Sequence, residues 1–280
     1  MALKSLAGKT AFVTGGANGI GFGIAQALVA QGANVMLADI DEEKLQSAAN
    51  TLGENTDTVL CDVTSPEALK TAAEKTVARF GKVHVLVNNA GVGGGGVPGE
   101  TSLDDWRWVV NINFLAVVYG VEIFIPLIKA HGEGGHIINT ASMAGHVANA
   151  LTGGPYNSTK YAVVGYSETL RAQLAKDNIG CSVLCPGWVD TDIHKSSFRA
   201  PSNANVDVKQ AMNTPQFQAM DSILKSGLSP KTVGEWTVEC MMAERMYIFT
   251  HPEMLPGIDA RLAEVKADYQ ACMDDPRFSQ

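Results

Sequence analysis

Up to about residue 185, short runs of apolar and β-branched residues alternate with longer segments whose apolar positions return every three to four residues. A short apolar run with no polar face reads as a strand covered on both sides, and three-to-four spacing as a helix with one buried face. The pattern predicts strands over 10–14, 34–38, 57–61, 83–88, 136–140 and 181–185, and helices over 20–31, 41–52, 66–80, 103–129 and 156–176. Such alternation builds βαβ units, whose right-handed crossovers set parallel strands side by side with helices on both faces. The expectation is an α/β chain forming one domain over residues 1–280, a single doubly wound parallel sheet of about seven strands.

The character changes over 192–226, which is polar, punctuated by proline and carries a few large apolar residues, Phe198, Met212 and Phe217. A long insert without periodicity is expected to be a substrate lid over the sheet's carboxyl edge, the alternative being a plain surface excursion. Beyond it the pattern resumes, with a helix over 230–246, a seventh strand over 246–250 and a last helix over 257–273. The most apolar stretch, 106–128, is interrupted by Arg107, Asn111, Asn113, Glu122 and Pro126. Those residues are expensive in lipid, so it reads as a buried helix and no membrane span is expected.

Composition narrows the partners. Twenty-one basic against 29 acidic residues give a net charge of −8. With no basic run to neutralise a phosphate backbone, nucleic acid is not expected as a partner. The first nine residues contain no apolar leader, so the chain is expected to be cytoplasmic. Cys61, Cys181, Cys185, Cys240 and Cys272 form no CxxC and read as reduced thiols. His146, His194 and His251 are scattered without zinc-ligand spacing, and no metal is expected.

The first strand runs into Thr14, Gly15, Gly16, Ala17, Asn18, Gly19, Ile20 and Gly21 before a helix begins. Glycines let the backbone turn there and approach a ligand, and the amides of the helix start suit a pyrophosphate. Asp39 closes the second strand 24 positions after Gly15, where a carboxylate accepts both hydroxyls of an adenosine ribose and repels a 2′-phosphate. Ala17, Asn18, Ile40 and Asp41 offer no cation to offset that repulsion, which favours NAD over NADP. Tyr156 and Lys160, four apart, lie one above the other on a helix. A phenol is a poor base at neutral pH unless positive charge stabilises the phenolate, so Lys160 is expected to lower the pKa of Tyr156. Ser142, just after the fifth strand, can donate a hydrogen bond to a substrate oxygen.

Asn88, Asn89, Ala90 and Gly91 end the fourth strand, Asn113 sits in an otherwise apolar helix, and Pro186, Gly187, Trp188, Val189, Asp190 and Thr191 end the sixth. In order, over residues 8–191, these elements resemble the short-chain dehydrogenase/reductase family, with its TGxxxGIG, NNAG, helix Asn, Ser, YxxxK and PGxVxT motifs. The resemblance implies a Rossmann fold that binds a nicotinamide cofactor, with Asn113, Ser142, Tyr156 and Lys160 as the catalytic set. It implies a cofactor site from Gly15, Asn18, Gly19, Ile20, Gly21, Asp39 and Ile40, with Asp62 and Val63 at the adenine and Asn89, Ala90 and Gly91 along the cofactor. Tyr156, Lys160, Pro186 and Gly187 complete it, with Val189 and Thr191 at the carboxamide. Ser142 and Tyr156 stand 14 positions apart, one more than the family's commonest interval, so the loop between them is expected to bulge toward the substrate. The tail lacks the family's frequent glycine-rich seventh-strand ending. With Gly153, Gly154 and Pro155 before Tyr156, it is similar to the subgroup of bacterial Cα-dehydrogenases of lignin-type aryl ethers, which act on benzylic secondary alcohols.

The function so implied is an NAD-dependent alcohol dehydrogenase or ketone reductase. Tyr156 would take the hydroxyl proton, Ser142 hold the substrate oxygen, Lys160 tune the phenol and bind the nicotinamide ribose, and Asn113 position a water. The rival, a non-catalytic NAD-binding redox-sensing regulator, has no need of a tuned phenol. An epimerase or dehydratase on nucleotide-sugars would need more than the about ninety residues after Thr191. Loops at the carboxyl edge offer the substrate Met143, Val147, Trp188 and Ile193 beside Ser142 and Tyr156, and the lid adds Phe198, Met212 and Phe217. With Lys195 and Arg199 read as solvated, the expected partner is an apolar aromatic or alicyclic secondary alcohol, or its ketone. The family commonly assembles as homodimers or homotetramers through the helices expected at 103–129 and 156–176.

Overall fold

The computed structural model describes residues 3–94, 96–97, 99–148 and 152–278. Seven parallel strands lie in the order β3-β2-β1-β4-β5-β6-β7. They are β1 (Thr10–Thr14), β2 (Asn34–Asp39), β3 (Thr56–Leu60), β4 (Val85–Asn88), β5 (Gly135–Thr140), β6 (Ile179–Cys185) and β7 (Tyr247–Phe249). Around them run α1 (Gly19–Ala30), α2 (Glu42–Leu52), α3 (Pro66–Phe80), α4 (Leu103–Val110), α5 (Ala116–His131), α6 (Gly154–Leu174), α7 (Val208–Met212), α8 (Pro215–Lys225), α9 (Pro230–Met242) and α10 (Leu255–Met273). This is the doubly wound Rossmann arrangement the alternation predicts. The order in which strands are added reverses between β1 and β4, so a crevice opens where the loops after those strands diverge.

Alternation along each strand sorts the core into layers. Ala11 and Val13 of β1 join Val35, Leu37, Val85 and Val87 beneath Ile24 and Leu28 of α1 and Val233 and Met241 of α9. Phe12 faces the other way, with Met36, Leu86 and Ile137, against Leu69 of α3 and Phe124 and Ile128 of α5. At the start of the strands, His84, His131, Lys9 and Lys82 gather on Glu133.

The structure departs from the sequence pattern in three places. The helix expected over 103–129 is interrupted by a π turn, Asn111–Leu115, between α4 and α5. The wider turn carries Asn113 inward, where its side chain pairs with the backbone of Val92 in both directions, at 2.8 and 2.9 Å. The 29-residue stretch Leu103–His131 is long and apolar enough by composition to cross a membrane, and 39% of its apolar window is buried within the chain. Residues 192–226 are not structureless. They form 3-10 turns Ile193–Arg199 and Pro201–Asn203 and then α7 and α8, capped by Asp207 and Thr214, which accept from the amides of Gln210 and Phe217. Local capping fixes these elements without the long apolar period that a sequence reading looks for. The helix expected to reach residue 246 stops at Met242, because Glu244 adopts φ +55° and turns the chain into β7.

Helices α1 and α9 approach each other through glycines. An ideal Cβ on Gly234 of α9 would stand 2.1 Å from the carbonyl oxygen of Gly23 in α1, and one on Gly23 would stand 2.0 Å from that of Pro230. Backbone blocks the space, so the helices must separate to admit any side chain. Gly234→Ala is expected to lower stability by about 1–3 kcal/mol, seen as a lower urea midpoint with an unchanged slope.

Candidate active site

The loop from β1 to α1 is closed by glycines and leaves the start of α1 open. Gly15 has φ +61°, and an ideal Cβ on it would stand 2.9 Å from Ala90 Cα. One on Gly21 would stand 2.2 Å from Gly15's carbonyl oxygen and 2.5 Å from Asn89 Nδ2. The start of α1 has no acidic side chain in its first turn and no side-chain cap, since Asn18 is extended and makes no capping bond. Free amides at the positive end of a helix dipole fit a pyrophosphate. Thr14 holds this loop against the next one. Its Oγ1 accepts the amides of Asn89 and Ala90 at 2.9 and 3.0 Å, while Asn89 Nδ2 donates to the carbonyls of Thr14 and Gly15, both at 3.2 Å.

Asp39 ends β2 beside that loop. Its carboxyl group accepts the amides of Ile40 at 2.8 Å, Asp41 at 3.3 Å and Ala17 at 3.3 Å, which fix its orientation. Asp62 is exposed at the end of β3, its Oδ1 tied to Thr64, and Val63 is buried next to it. Two cations stand near this end: Lys44 is 3.0 Å from Asp41 Oδ2, and Arg199 adds a smaller pull on Asp41, whose carboxyl is held below its usual range chiefly by the Lys44 amide and side chain.

The other group lies at the carboxyl ends of β4, β5 and β6. A buried polar row ties α6 to the sheet: Asn88 Nδ2 donates to Asn139 Oδ1 at 2.9 Å, Asn139 Nδ2 to Ser167 Oγ at 3.0 Å, and Ser167 to the Val163 carbonyl at 2.7 Å. On the anchored helix, Lys160 is 3% exposed and donates to the Thr140 carbonyl at 2.9 Å, with Nζ 5.5 Å from the centre of the Tyr156 ring. An ideal Cβ on Gly91 would stand 3.3 Å from Asn113 Oδ1 and 3.7 Å from Lys160 Nζ, so Gly91, Asn113 and Lys160 converge. Ser142 Oγ accepts the Ala144 amide at 3.1 Å, and Ser142 shares a hydrogen bond with Tyr156. Burial pushes the Tyr156 phenol up, with the Ser142 hydrogen bond opposing, and pushes the Lys160 ammonium down to about 8. The lowered phenol pKa expected from the helical spacing is therefore not found in the free chain. Desolvation is the dominant cause, with the ammonium held 5.5 Å from the ring centre.

Ser142 and Tyr156 open on a cavity of about 490 Å³, floored by Met143, Ala144 and Val147 and walled by Pro186, Gly187, Trp188, Val189, Thr191 and Ile193. Ile20 of the glycine loop lines it too, so it is continuous with the phosphate-binding turn.

The short chain dehydrogenase family matches residues 9–202, which takes in both groups. The chain belongs to the short chain dehydrogenases.

Members are oxidoreductases acting on CH–OH groups, and relatives agree over most of the length. The chain is 30% identical over 278 residues, 98% of it and 90% of the relative, to a C alpha-dehydrogenase of Sphingobium sp. strain SYK-6. It is similar to the structure of a short chain dehydrogenase/reductase from Burkholderia phymatum in complex with NAD, at TM-score 0.86 and 35% identity over 94% of this chain and 96% of that one. It also resembles an actinorhodin polyketide ketoreductase with NADPH, at TM-score 0.73 and 30% identity over 89% and 97%.

The cavity of this dehydrogenase contains residues the sequence reading missed. Gly93, Gly94, Thr152, His194, Ser197, Met220, Leu224, Met254 and Gly257 line it, whereas Phe198, Met212 and Phe217 do not. Phe198 and Phe217 instead stack on each other, ring centres 5.4 Å apart. His251, dismissed from spacing, holds the loop after β6: its Nδ1 accepts the Gly187 amide at 3.1 Å and Nε2 donates to the Trp188 carbonyl at 3.0 Å. The signal was its place just after β7, at the same sheet edge. The expected bulge between Ser142 and Tyr156 falls partly on residues 149–151, outside the described ones. Cys61, Cys181, Cys185 and Cys240 are buried free thiols, and Cys272 is an exposed one.

Thr14 carries no chemistry of its own, yet it receives two amides at the crevice. Thr14→Val leaves both without an acceptor and is expected to cost about 1–3 kcal/mol of stability, measured by denaturant unfolding, and to weaken dinucleotide binding by calorimetry.

Proposed function

We propose that this short chain dehydrogenase interconverts a secondary alcohol and its ketone with NAD, on an apolar aromatic or alicyclic substrate. The observation that carries this reading is the opening of Ser142 and Tyr156 on one largely apolar cavity, with Lys160 sealed behind them. Gly15, Asn18, Gly19, Ile20 and Gly21 hold the pyrophosphate, Asp39 and Ile40 the adenosine ribose, and Asp62 and Val63 the adenine. Asn89, Ala90 and Gly91 run along the dinucleotide, Lys160 meets the nicotinamide ribose, and Pro186, Gly187, Val189 and Thr191 the carboxamide end. When bound, the nicotinamide takes up the carbinol hydrogen with its electron pair.

The chain supplies the rest. Ser142 donates to the substrate oxygen, and Tyr156 Oη accepts the hydroxyl proton in oxidation and returns it in reduction. The Lys160 ammonium favours the phenolate once it forms. Asn113, its side chain committed to Val92, contributes through the π turn that shapes the backbone beside Lys160, where a water relays the proton outward. Residues 192–226 close the cavity as a lid. Homodimers or homotetramers form through α4, α5 and α6, in keeping with an apolar helix stretch of which much remains uncovered by its own chain.

NAD is preferred because the Asp39 carboxyl group is fixed by three amides at the ribose position and both nearby cations, Lys44 and Arg199, act on Asp41. The complex of the B. phymatum relative with NAD supports this, and that of the ketoreductase with NADPH marks the alternative. Asp39→Ala is expected to reduce the discrimination in kcat/KM between NAD and NADP by about 1–3 kcal/mol. A wild-type preference for NADP overturns the assignment.

The activity itself is tested with purified protein and a panel of alcohols, following the absorbance of the reduced nicotinamide. Aryl and alicyclic secondary alcohols are expected to exceed a polyol and a hydroxy acid of similar size in kcat/KM. Oxidation is expected to rise with pH, since the phenol must be ionised to accept a proton. Tyr156→Phe is expected to lower kcat by roughly 10²–10⁴-fold with dinucleotide binding retained, and near-normal turnover in that variant defeats the mechanism.

A further inference from the structure

The wall contributed by residues 192–226 contains one polar group that the proposed chemistry does not use. The side chain of His194 is only 8% exposed and lines the cavity with Ser197, Met220 and Leu224. Its Nε2 lies 3.0 Å from Asp221 Oδ1 on α8, and Asp221 is ion-paired in turn with Lys225. An ionised carboxylate only accepts, so Nε2 carries a proton, and in the neutral ring Nδ1 then keeps a lone pair. That Nδ1 is buried and meets no hydrogen-bond partner among the described residues. The ring is braced by Phe217, whose centre is 4.8 Å away.

A buried acceptor without a donor is uncommon, because it has given up water and received nothing in exchange. Here a carboxylate fixes the tautomer and an aromatic ring fixes the plane, as in a preorganised binding group. The neighbouring hydroxyl does not meet the need: Ser197 Oγ donates to the carbonyl of His194 itself, at 2.7 Å. Ile193, Met220 and Leu224 supply no donor.

We propose that His194, held by Asp221, accepts a hydrogen bond from a second hydroxyl of the substrate, remote from the reacting carbon. The inference rests on the cavity's being the alcohol site and narrows it to apolar secondary alcohols or ketones that carry a further hydroxyl, phenolic or alcoholic. Met220, flexible and on the same wall, is the side chain that yields as the hydroxyl reaches Nδ1. His194 positions the substrate and takes no part in the proton transfer.

The test is binding, so that it stands apart from turnover. With NAD present, calorimetry measures two pairs of ketones: an aryl ketone with and without a ring hydroxyl, and an alicyclic ketone with and without a distal hydroxyl. The hydroxylated member of at least one pair is expected to bind about tenfold or more tightly, and the pair that shows it identifies the hydroxyl as phenolic or alcoholic. The advantage is expected to fall to near unity in His194→Phe and to shrink in Asp221→Asn, which frees the tautomer. For the corresponding alcohols the same ratio appears in KM rather than kcat. Equal binding within both pairs by the wild-type protein overturns the proposal, and so does an undiminished advantage in His194→Phe. The wild-type pairs and Asp221→Asn decide the question should His194→Phe fail to fold. Selective binding without oxidation of any alcohol would defeat the proposed function and leave this inference standing; oxidation without selectivity would do the reverse.

Discussion

The site depends on how the ends of β1 and β4 are tied. Parallel strands leave their last carbonyls and the following amides pointing into the crevice where the strand order reverses, and those groups need partners if the loops are to hold their shape. One threonine and one asparagine supply them. Thr14 receives the amides of Asn89 and Ala90, and the Asn89 amide group returns to the Thr14 and Gly15 carbonyls. Thr140 donates to Asn89 Oδ1 at 3.3 Å, which brings β5 into the same tie. Gly15 and Gly21 are glycines because this lattice leaves a Cβ no room. The phosphate-binding turn and the edge that bears Ser142 are therefore one hydrogen-bonded structure.

Behind that edge, burial sets the electrostatics of the proposed acid–base pair. Desolvation raises the phenol and lowers the ammonium, so each group alone favours its neutral form. A phenolate with an ammonium nearby is less costly than either charge buried alone, and Lys160 Nζ lies 5.5 Å from the centre of the Tyr156 ring. The Thr140 carbonyl and the Asn88, Asn139 and Ser167 row keep them facing each other, because a buried lysine with fewer partners would turn toward water.

Much of the fold was legible because both of its periods are strong. Five of the seven strands, β1, β2, β4, β5 and β6, are runs buried on both faces, and the helices between them repeat at the helical spacing. Most element ends moved by a residue or two and the end of α9 by four, and the π turn at Asn111–Leu115 was invisible, since it conserves the apolar pattern and shows only in where Asn113 points. The motif residues, taken in order, located the crevice and the Ser142, Tyr156 and Lys160 group. The sign of the tyrosine shift was not readable, because helical spacing gives proximity and says nothing of desolvation.

What the sequence hid most was the wall over the cavity. Residues 192–226 fold through caps, 3-10 turns and short helices, and such elements do not announce which side chains face inward. Apolar size was a poor guide: Phe198 and Phe217 satisfy each other, while Ser197, His194 and Met220 face the cavity. A segment made of short capped pieces has little core of its own, so its largest side chains pack together to hold it, and smaller or polar ones are left facing the cavity. His194 is one of these. The cavity wall built by this segment therefore consists of groups that contribute little to its own packing, and such positions can vary without disturbing the tied crevice below.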